Sequence, residues 1–202
     1  VRIYDPVAGG AALVVIDVDA DALVVFKDPA TGELRLACGF HGEVKIFDPV
    51  AGGEALLVIV LGSWVNELAL FTDPATGALR LACGCEDGKV RIFDPVAGGK
   101  ALVVLEIGDE MTALEVFKDP AMGAPWLACG SGEYNKNNGK VRVFDPVAGG
   151  DALFVLDIGN WVNVLAVFKE PATGALRLAC GTGELGKEIG DVRIFDAVSG
   201  GD

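Results

Sequence analysis

The stretch ALFTDPATGALRLACGCEDGKVRIFDPVAGG, residues 69–99, holds most of one structural phrase and decides the fold. DPATG at 73–77 is a tight turn: Pro74 fixes φ, Asp73 can bond the backbone ahead of it, and Gly77 accepts positive φ. In the ALRLACG that follows, Leu79, Leu81 and Cys83 alternate with Arg80 and Ala82, the two-residue period of a strand. Asp87-Gly88 is a hairpin signal. KVRIFD then places Val90 and Ile92 on one face of a strand and Arg91 and Phe93 on the other. Upstream, WVNELALF (64–71) reads as a strand, and Gly62-Ser63 separates it from ALLVIVL (55–61). That segment is continuously apolar, β-branched and without a helical period, which predicts a strand buried on both faces.

The phrase recurs along the whole chain. VRIYDPVAGG begins at Val1, VKIFDPVAGG at Val44, VRIFDPVAGG at Val90, VRVFDPVAGG at Val141 and VRIFDAVSGG at Val192, so successive starts lie 43 to 51 residues apart. Four short strands joined by tight turns at this period predict an all-β β-propeller of four-stranded antiparallel blades. No stretch shows the 3.6-residue period of a helical solenoid. The 202 residues form a single repeat domain on this reading: an outer strand at 1–10, then blades at 11–53, 54–99, 100–150 and 151–202. The near-identity of the copies fits a recent amplification of one blade or an array engineered from it.

LACGCEDGKVRIFDP (81–95) resembles the second half of a WD-repeat, which ends in a small-residue triplet, an Asp-Gly turn and a V-x-I-W-D strand. GNWVNVLAVF (159–168) is similar to the family's first hairpin. Phe47, Phe93, Phe144 and Phe195 stand where the family has tryptophan, with Tyr4 in the first copy. The family's Gly-His dipeptide is replaced by VDAD, LGSW, IGDE and IGNW, so its Asp-His-Ser-Trp hydrogen-bond network cannot form. Blades held mainly by apolar packing are expected instead.

The resemblance also implies that the first-written outer strand completes the last blade and closes the ring. Here the last blade already carries VRIFDAVSGG, leaving one surplus outer strand. Three assemblies follow: an eight-bladed ring from two chains, a single four-bladed ring, or a piece of a longer array. The homodimeric ring is favoured because it leaves no open edge strand and keeps the wedge angle of larger propellers.

Composition narrows the function. With 16 Lys and Arg against 29 Asp and Glu the net charge is −13, the wrong sign for replacing phosphate counterions, so neither nucleic acid nor an anionic membrane is expected as partner. No apolar run reaches the length of a membrane span, and no signal peptide is expected. The acidic surplus suits solubility or a basic partner. Cys38, Cys83, Cys129 and Cys180 are one position in four repeats, held apart by whole blades, and Cys85 is extra. They read as small buried hydrophobes and point to an intracellular, cytoplasmic setting. With a single histidine and no paired CxxC spacing, no metal site or cofactor is expected. Asp17, Asp19 and Asp21 alternate and could face one cation, but the other repeats do not keep them and no EF-hand loop follows.

Chemistry of its own is not expected either. His41 has no nucleophile motif beside it, and the carboxylates fall mostly in turns. The turns DPATG and DPVAGG mark one face as nearly constant. The opposite face varies: FHGE (40–43), CEDGK (85–89), SGEYNKNNGK (131–140) and TGELGKEIGD (182–191). Candidate interaction residues are therefore His41, Glu86, Asp87, Tyr134, Asn135, Lys136, Asn137, Asn138, Glu184, Lys187 and Glu188, with Trp64 and Trp161 either anchors beside them or seam packing. The expected function is a non-catalytic protein-interaction and self-assembly scaffold. The alternative is a small-ligand or carbohydrate binder, or a hydrolase, using the central channel, and polar side chains converging there would favour it.

Overall fold

The computed structural model describes residues 1–133, 136–183 and 190–201, and all its regular elements are strands. A first, two-stranded sheet pairs β1 (Arg2–Ile3) with β2 (Val14–Val15). The second sheet contains β3 (Ala22–Lys27), β4 (Leu34–Phe40), β5 (Glu43–Phe47) and β6 (Leu57–Val60). The third contains β7 (Val65–Thr72), β8 (Leu79–Cys85), β9 (Lys89–Asp94) and β10 (Gly98–Glu106). The fourth contains β11 (Met111–Lys118), β12 (Pro125–Ser131), β13 (Gly139–Phe144) and β14 (Phe154–Gly159). The fifth has three strands, β15 (Val162–Lys169), β16 (Leu176–Thr182) and β17 (Val192–Asp196). Every pairing is antiparallel and joins sequence neighbours. The inner strands stand side by side, β3 against β7, β7 against β11 and β11 against β15, and the row of sheets is not closed.

The sheets are offset by one strand from the units of sequence repetition. V-x-I-F-D is the third strand of its sheet rather than the outer one, because the DPVAGG turn folds the next apolar segment back onto it. Thus β9 pairs with β10 through Ile92↔Val103 and Arg91↔Val104. The strand that looked surplus, β1, is likewise partnered, through Arg2↔Val15 and Ile3↔Val14. Residues 62–63, read as a break between two strands of one blade, carry the chain from the outer strand of one sheet to the inner strand of the next. The apolar segment 55–61 is therefore an outer strand, and it is not buried on both faces. Ile59 is buried, whereas Leu56, Val58 and Val60 are exposed, since adjacent sheets diverge at their outer edges.

The core lies between sheets, and the alternation of each strand divides it. In the third sheet Leu81, Cys83 and Phe93 point back to the second, meeting Ala37, Val44 and Ile46. Ala82, Val90 and Ile92 point forward to the fourth, meeting Leu127, Cys129 and Phe144. The same exchange joins the fourth sheet to the fifth, with Ala128, Val141 and Val143 against Leu178 and Cys180. The pair of triplets L-A-C and V-x-I-F thus serves two interfaces at once: Leu, Cys and Phe bind the sheet behind, Ala, Val and Ile the sheet ahead. Phe93 is 2% exposed and Ile92 1%. Burying a side chain of this size contributes about 1.5–3 kcal/mol. Small residues let the inner strands approach: a Cβ on Gly130 would stand 2.6 Å from Val162 Cγ1. Polar links also cross the inner seams, among them the Val167 amide donating to Glu115 Oε1 at 3.4 Å. Asn66 Nδ2 donates to the Met111 carbonyl at 2.8 Å, and the Thr112 hydroxyl donates to the Val162 carbonyl.

Candidate interaction face

Alternating strand directions bring the DPATG and DPVAGG turns to one end of the sheets and the variable hairpins and crossings to the other. At the constant end the carboxylates are committed to the backbone. Asp94 accepts from the Val96 and Ala97 amides, both at 2.9 Å, and Asp5, Asp48, Asp145 and Asp196 repeat the arrangement. These amide bonds hold the Asp5, Asp48 and Asp196 carboxyls below their usual range. Asp73 is held down first by the Thr76 hydroxyl and then by the Ala75 amide.

Three clusters build the variable end. At the first, the β4–β5 hairpin turns through His41 (φ 37°) and Gly42 (φ 83°), the left-handed pair of a two-residue type I′ turn. The exposed His41 ring lies 3.9 Å from Phe40 and 4.1 Å from Trp64, centroid to centroid, and Trp64 Nε1 donates to Asp21 at 2.5 Å. Trp64 is thus 39% exposed on this end instead of lying inside a seam. A shallow cavity of about 290 Å³ opens beside the cluster, lined by Asp17, Asp19, His41, Glu43, Lys45 and Cys38 among others.

At the second, Arg91 makes a two-pronged pair with Asp87, at 3.0 and 2.6 Å, which holds the carboxyl below its usual range. The Asp87 amide donates to Ser63 Oγ at 3.1 Å, and the Glu86 amide to the Trp64 carbonyl at 3.0 Å, so both predicted residues are anchored to the adjacent crossing. At the third, Asn138 bridges the Glu133 amide (3.0 Å) and Asp109 (3.3 Å), while Arg142 joins Asp109 (3.3 Å) to Ser131 (3.0 Å). Lys136 pairs with Glu133, and Asn137 is exposed. Tyr134, Asn135, Glu184, Lys187 and Glu188 lie outside the described residues.

Sequence reasoning passed over Asp109, Glu110 and Glu133 and weighed Asp21 only as a cation ligand, yet all four complete these clusters. The available signal was the arginine at the x of V-x-I-F, since Arg91 and Arg142 each reach a carboxylate on this end. Glu110 sits among like charges: burial first, then repulsion from Glu86 and Glu133, raises its carboxyl above the usual range. The end thus gathers the carboxylates of Glu86, Glu110 and Glu133 beside the Asp87–Arg91 and Asp109–Arg142 pairs. Asp17, Asp19 and Asp21 do not converge, and among the described residues no group of three or more His, Cys, Asp or Glu side chains is arranged to hold a metal ion. The thiols are free and buried, and burial pushes Cys38, Cys85 and Cys180 up to about 11, away from thiolate chemistry. On the inner strands, burial also raises the carboxyls of Glu67 and Glu115.

No protein-family model matches this chain, and no curated protein does. Solved structures do. Two crystal structures of BBS1N in complex with ARL6DN, one soaked with lead and one with mercury, superpose with TM-scores of 0.65 and 0.64 at 16% and 15% identity. Each comparison covers 96% of this chain but only 57% of the other, so the chain spans a little over half the length of these neighbours. The likeness is one of fold, and it groups the row of antiparallel sheets with β-propellers.

Proposed function

We propose that this chain is a non-catalytic, WD-repeat-like propeller that works as an intracellular protein-interaction scaffold, with the variable end as its recognition face. One observation carries the reading. Hairpins and crossings that differ between repeats present Asp87, Asp109, Glu110 and Glu133 together with the exposed His41 and Trp64, while the opposite end spends its carboxylates on turns. Exposed and half-exposed acidic groups beside the exposed His41 and Trp64 suit a partner surface that offers basic groups. The complex of BBS1N with ARL6DN shows a neighbour of this fold held against a protein. Self-assembly belongs to the same proposal: two copies form a closed ring of eight sheets, which would leave no sheet edge or face bare.

The test is affinity capture with the wild-type chain and a variant carrying Glu86→Lys, Asp87→Lys and Glu110→Lys. A partner retained by the first, lost by the second and released by raised salt supports the variable end as the recognition face. Equal capture by both places recognition elsewhere. A second reading, a channel that binds a small ligand or carbohydrate or hydrolyses it, draws on Glu67 and Glu115, whose raised carboxyls lie on inner strands. Glycan-array binding or glycoside hydrolysis by the wild-type chain that is lost in Glu67→Gln with Glu115→Gln supports that reading, and neither activity in the wild-type chain counts against it.

A further inference from the structure

The two end sheets of the row are bare on complementary faces. The forward face of the fifth sheet carries Phe168, Val192 and Ile194 at 40%, 74% and 55% exposure. The residues at the same repeat positions, Phe71, Val90 and Ile92 in the third sheet and Phe117, Val141 and Val143 in the fourth, are all at most 6% exposed. At the other end, Leu23 and Val25 on the back face of the second sheet are 51% and 53% exposed, while the counterparts of Leu23, namely Leu68, Leu114 and Leu165, lie between 6% and 8%, and those of Val25, namely Leu70, Val116 and Val167, are partly buried. Within the chain these two sets of positions meet one another: Phe26 packs in one cluster with Leu68 and Leu70, Phe71 with Leu114 and Val116, and Phe117 with Leu165 and Val167. What covers such a face is therefore shown three times inside the molecule.

The hydrogen-bonded edges match as well. In the second, third and fourth sheets the outer strand pairs with the V-x-I-F strand in one register: Lys45↔Val58, Arg91↔Val104 and Arg142↔Val155. The pair Arg2↔Val15 keeps that register in the first sheet, over a ladder only two residues long. Among the described residues β17, with the same V-R-I sequence as β1, has β16 as its sole partner. β1 also stands where a preceding sheet would: Val1 and Ile3 cover Leu36, Cys38 and Phe47, as Val90 and Ile92 cover Leu127, Cys129 and Phe144.

We propose that β1 is a placeholder and that β17 of a second copy of this chain displaces it. In the exchanged state β17 takes β2 of the partner copy as its outer strand, pairing Arg193 with Val15 and Ile194 with Val14. Phe168, Val192 and Ile194 then cover the second sheet of that copy, including Leu23 and Val25. The chain runs from β2 into β3 as it runs from β6 into β7, so the exchange needs no new connection. Done twice, it closes a ring of eight sheets with two displaced β1 strands. This inference rests on the self-assembly part of the proposed function and assigns its interface.

The test is oxidative cross-linking of the full chain carrying Val15→Cys and Arg193→Cys, since directly opposed residues of an antiparallel pair lie within disulfide reach. The expected product runs at twice the chain mass without reductant and at the chain mass with it. Deleting residues 1–10 should raise the dimer fraction, because the competing strand is gone. Ile194→Lys, at a position that is exposed in the single chain, should abolish the dimer while leaving the monomer folded. A wild-type dimer in which the cysteine pair does not link overturns the exchange but leaves self-assembly standing. A cross-link that forms within one chain overturns the second copy as occupant. A monomer at all concentrations overturns both.

Discussion

The third and fifth sheets are written in nearly the same residues and live in opposite surroundings. KVRIFD of β9 buries Val90 and Ile92 completely, whereas DVRIFD around β17 exposes Val192 and Ile194. Phe71 is 5% exposed and Phe168 is 40%. The difference is not in the strands but in what stands ahead of them: the third sheet has a fourth to pack on, and the fifth has none among the described residues. Burial in this molecule is a property of position in the row. That is how repeat proteins are expected to be stabilised, with each unit completed by its neighbour.

The largest break in that comparison should come from an aromatic side chain between sheets. Phe93→Ala should destabilise the fold by about 3–5 kcal/mol, read by urea unfolding. Phe168→Ala in the monomeric Ile194→Lys background should lose less than about 1 kcal/mol, since its ring already faces solvent. Equal losses would mean that the fifth sheet is covered in the single chain.

Close approach gives a second, smaller contrast. A Cβ on Gly130 meets Val162, which is fully buried, and overpacking of that kind costs about 1–3 kcal/mol. A Cβ on Gly181 also comes within 2.6 Å of a valine methyl, but that valine, Val164, is 57% exposed and can move aside. Gly181→Ala should therefore be the milder change, and thermal melts of the two variants check the order.

These pairs also mark what was legible in the sequence. Turn chemistry in DPATG and DPVAGG, and the alternation in ALRLACG and VRIFD, are local, and they place the strands, the antiparallel pairing and the buried Phe93. Grouping of strands into sheets is not local. A hairpin and a crossing to the next sheet can both be marked by a glycine and a short polar residue, so Gly62-Ser63 gave no means of telling one from the other. Without that distinction V-x-I-F-D reads as an outer strand, and the apolar 55–61 segment as fully buried. The variable end was visible as a contrast between loops, and Glu86, Asp87 and Asn138 tie those loops together by hydrogen bonds within the chain. Asp109 and Glu110 escaped notice because they sit in a crossing rather than a hairpin, and only the fold brings them beside Arg142, Glu86 and Glu133.

Polar links across the seams should matter less than packing. Asn66→Ala removes the side-chain bond to the Met111 carbonyl and should cost about 0.5–1.5 kcal/mol, again by urea unfolding. The smallest expected effect is one of pH. Glu110 is raised in the folded chain, so the folded state binds this proton more tightly than the unfolded state does. Its contribution to stability falls as pH climbs from the unfolded carboxylate value through the raised folded one, and is level above that. Glu110→Gln should flatten this part of the stability profile, and an unchanged profile would show that neither burial nor the neighbouring Glu86 and Glu133 raises this carboxyl in the folded chain.

The most direct measurement is the solution mass of the unmodified chain by light scattering, followed across a dilution series. If the bare forward face of the fifth sheet is covered by a second copy, the mass is twice that of the chain and falls to one chain on dilution or on introducing Ile194→Lys. A mass of one chain at every concentration, unchanged by Ile194→Lys, would contradict the pairing of the two bare faces.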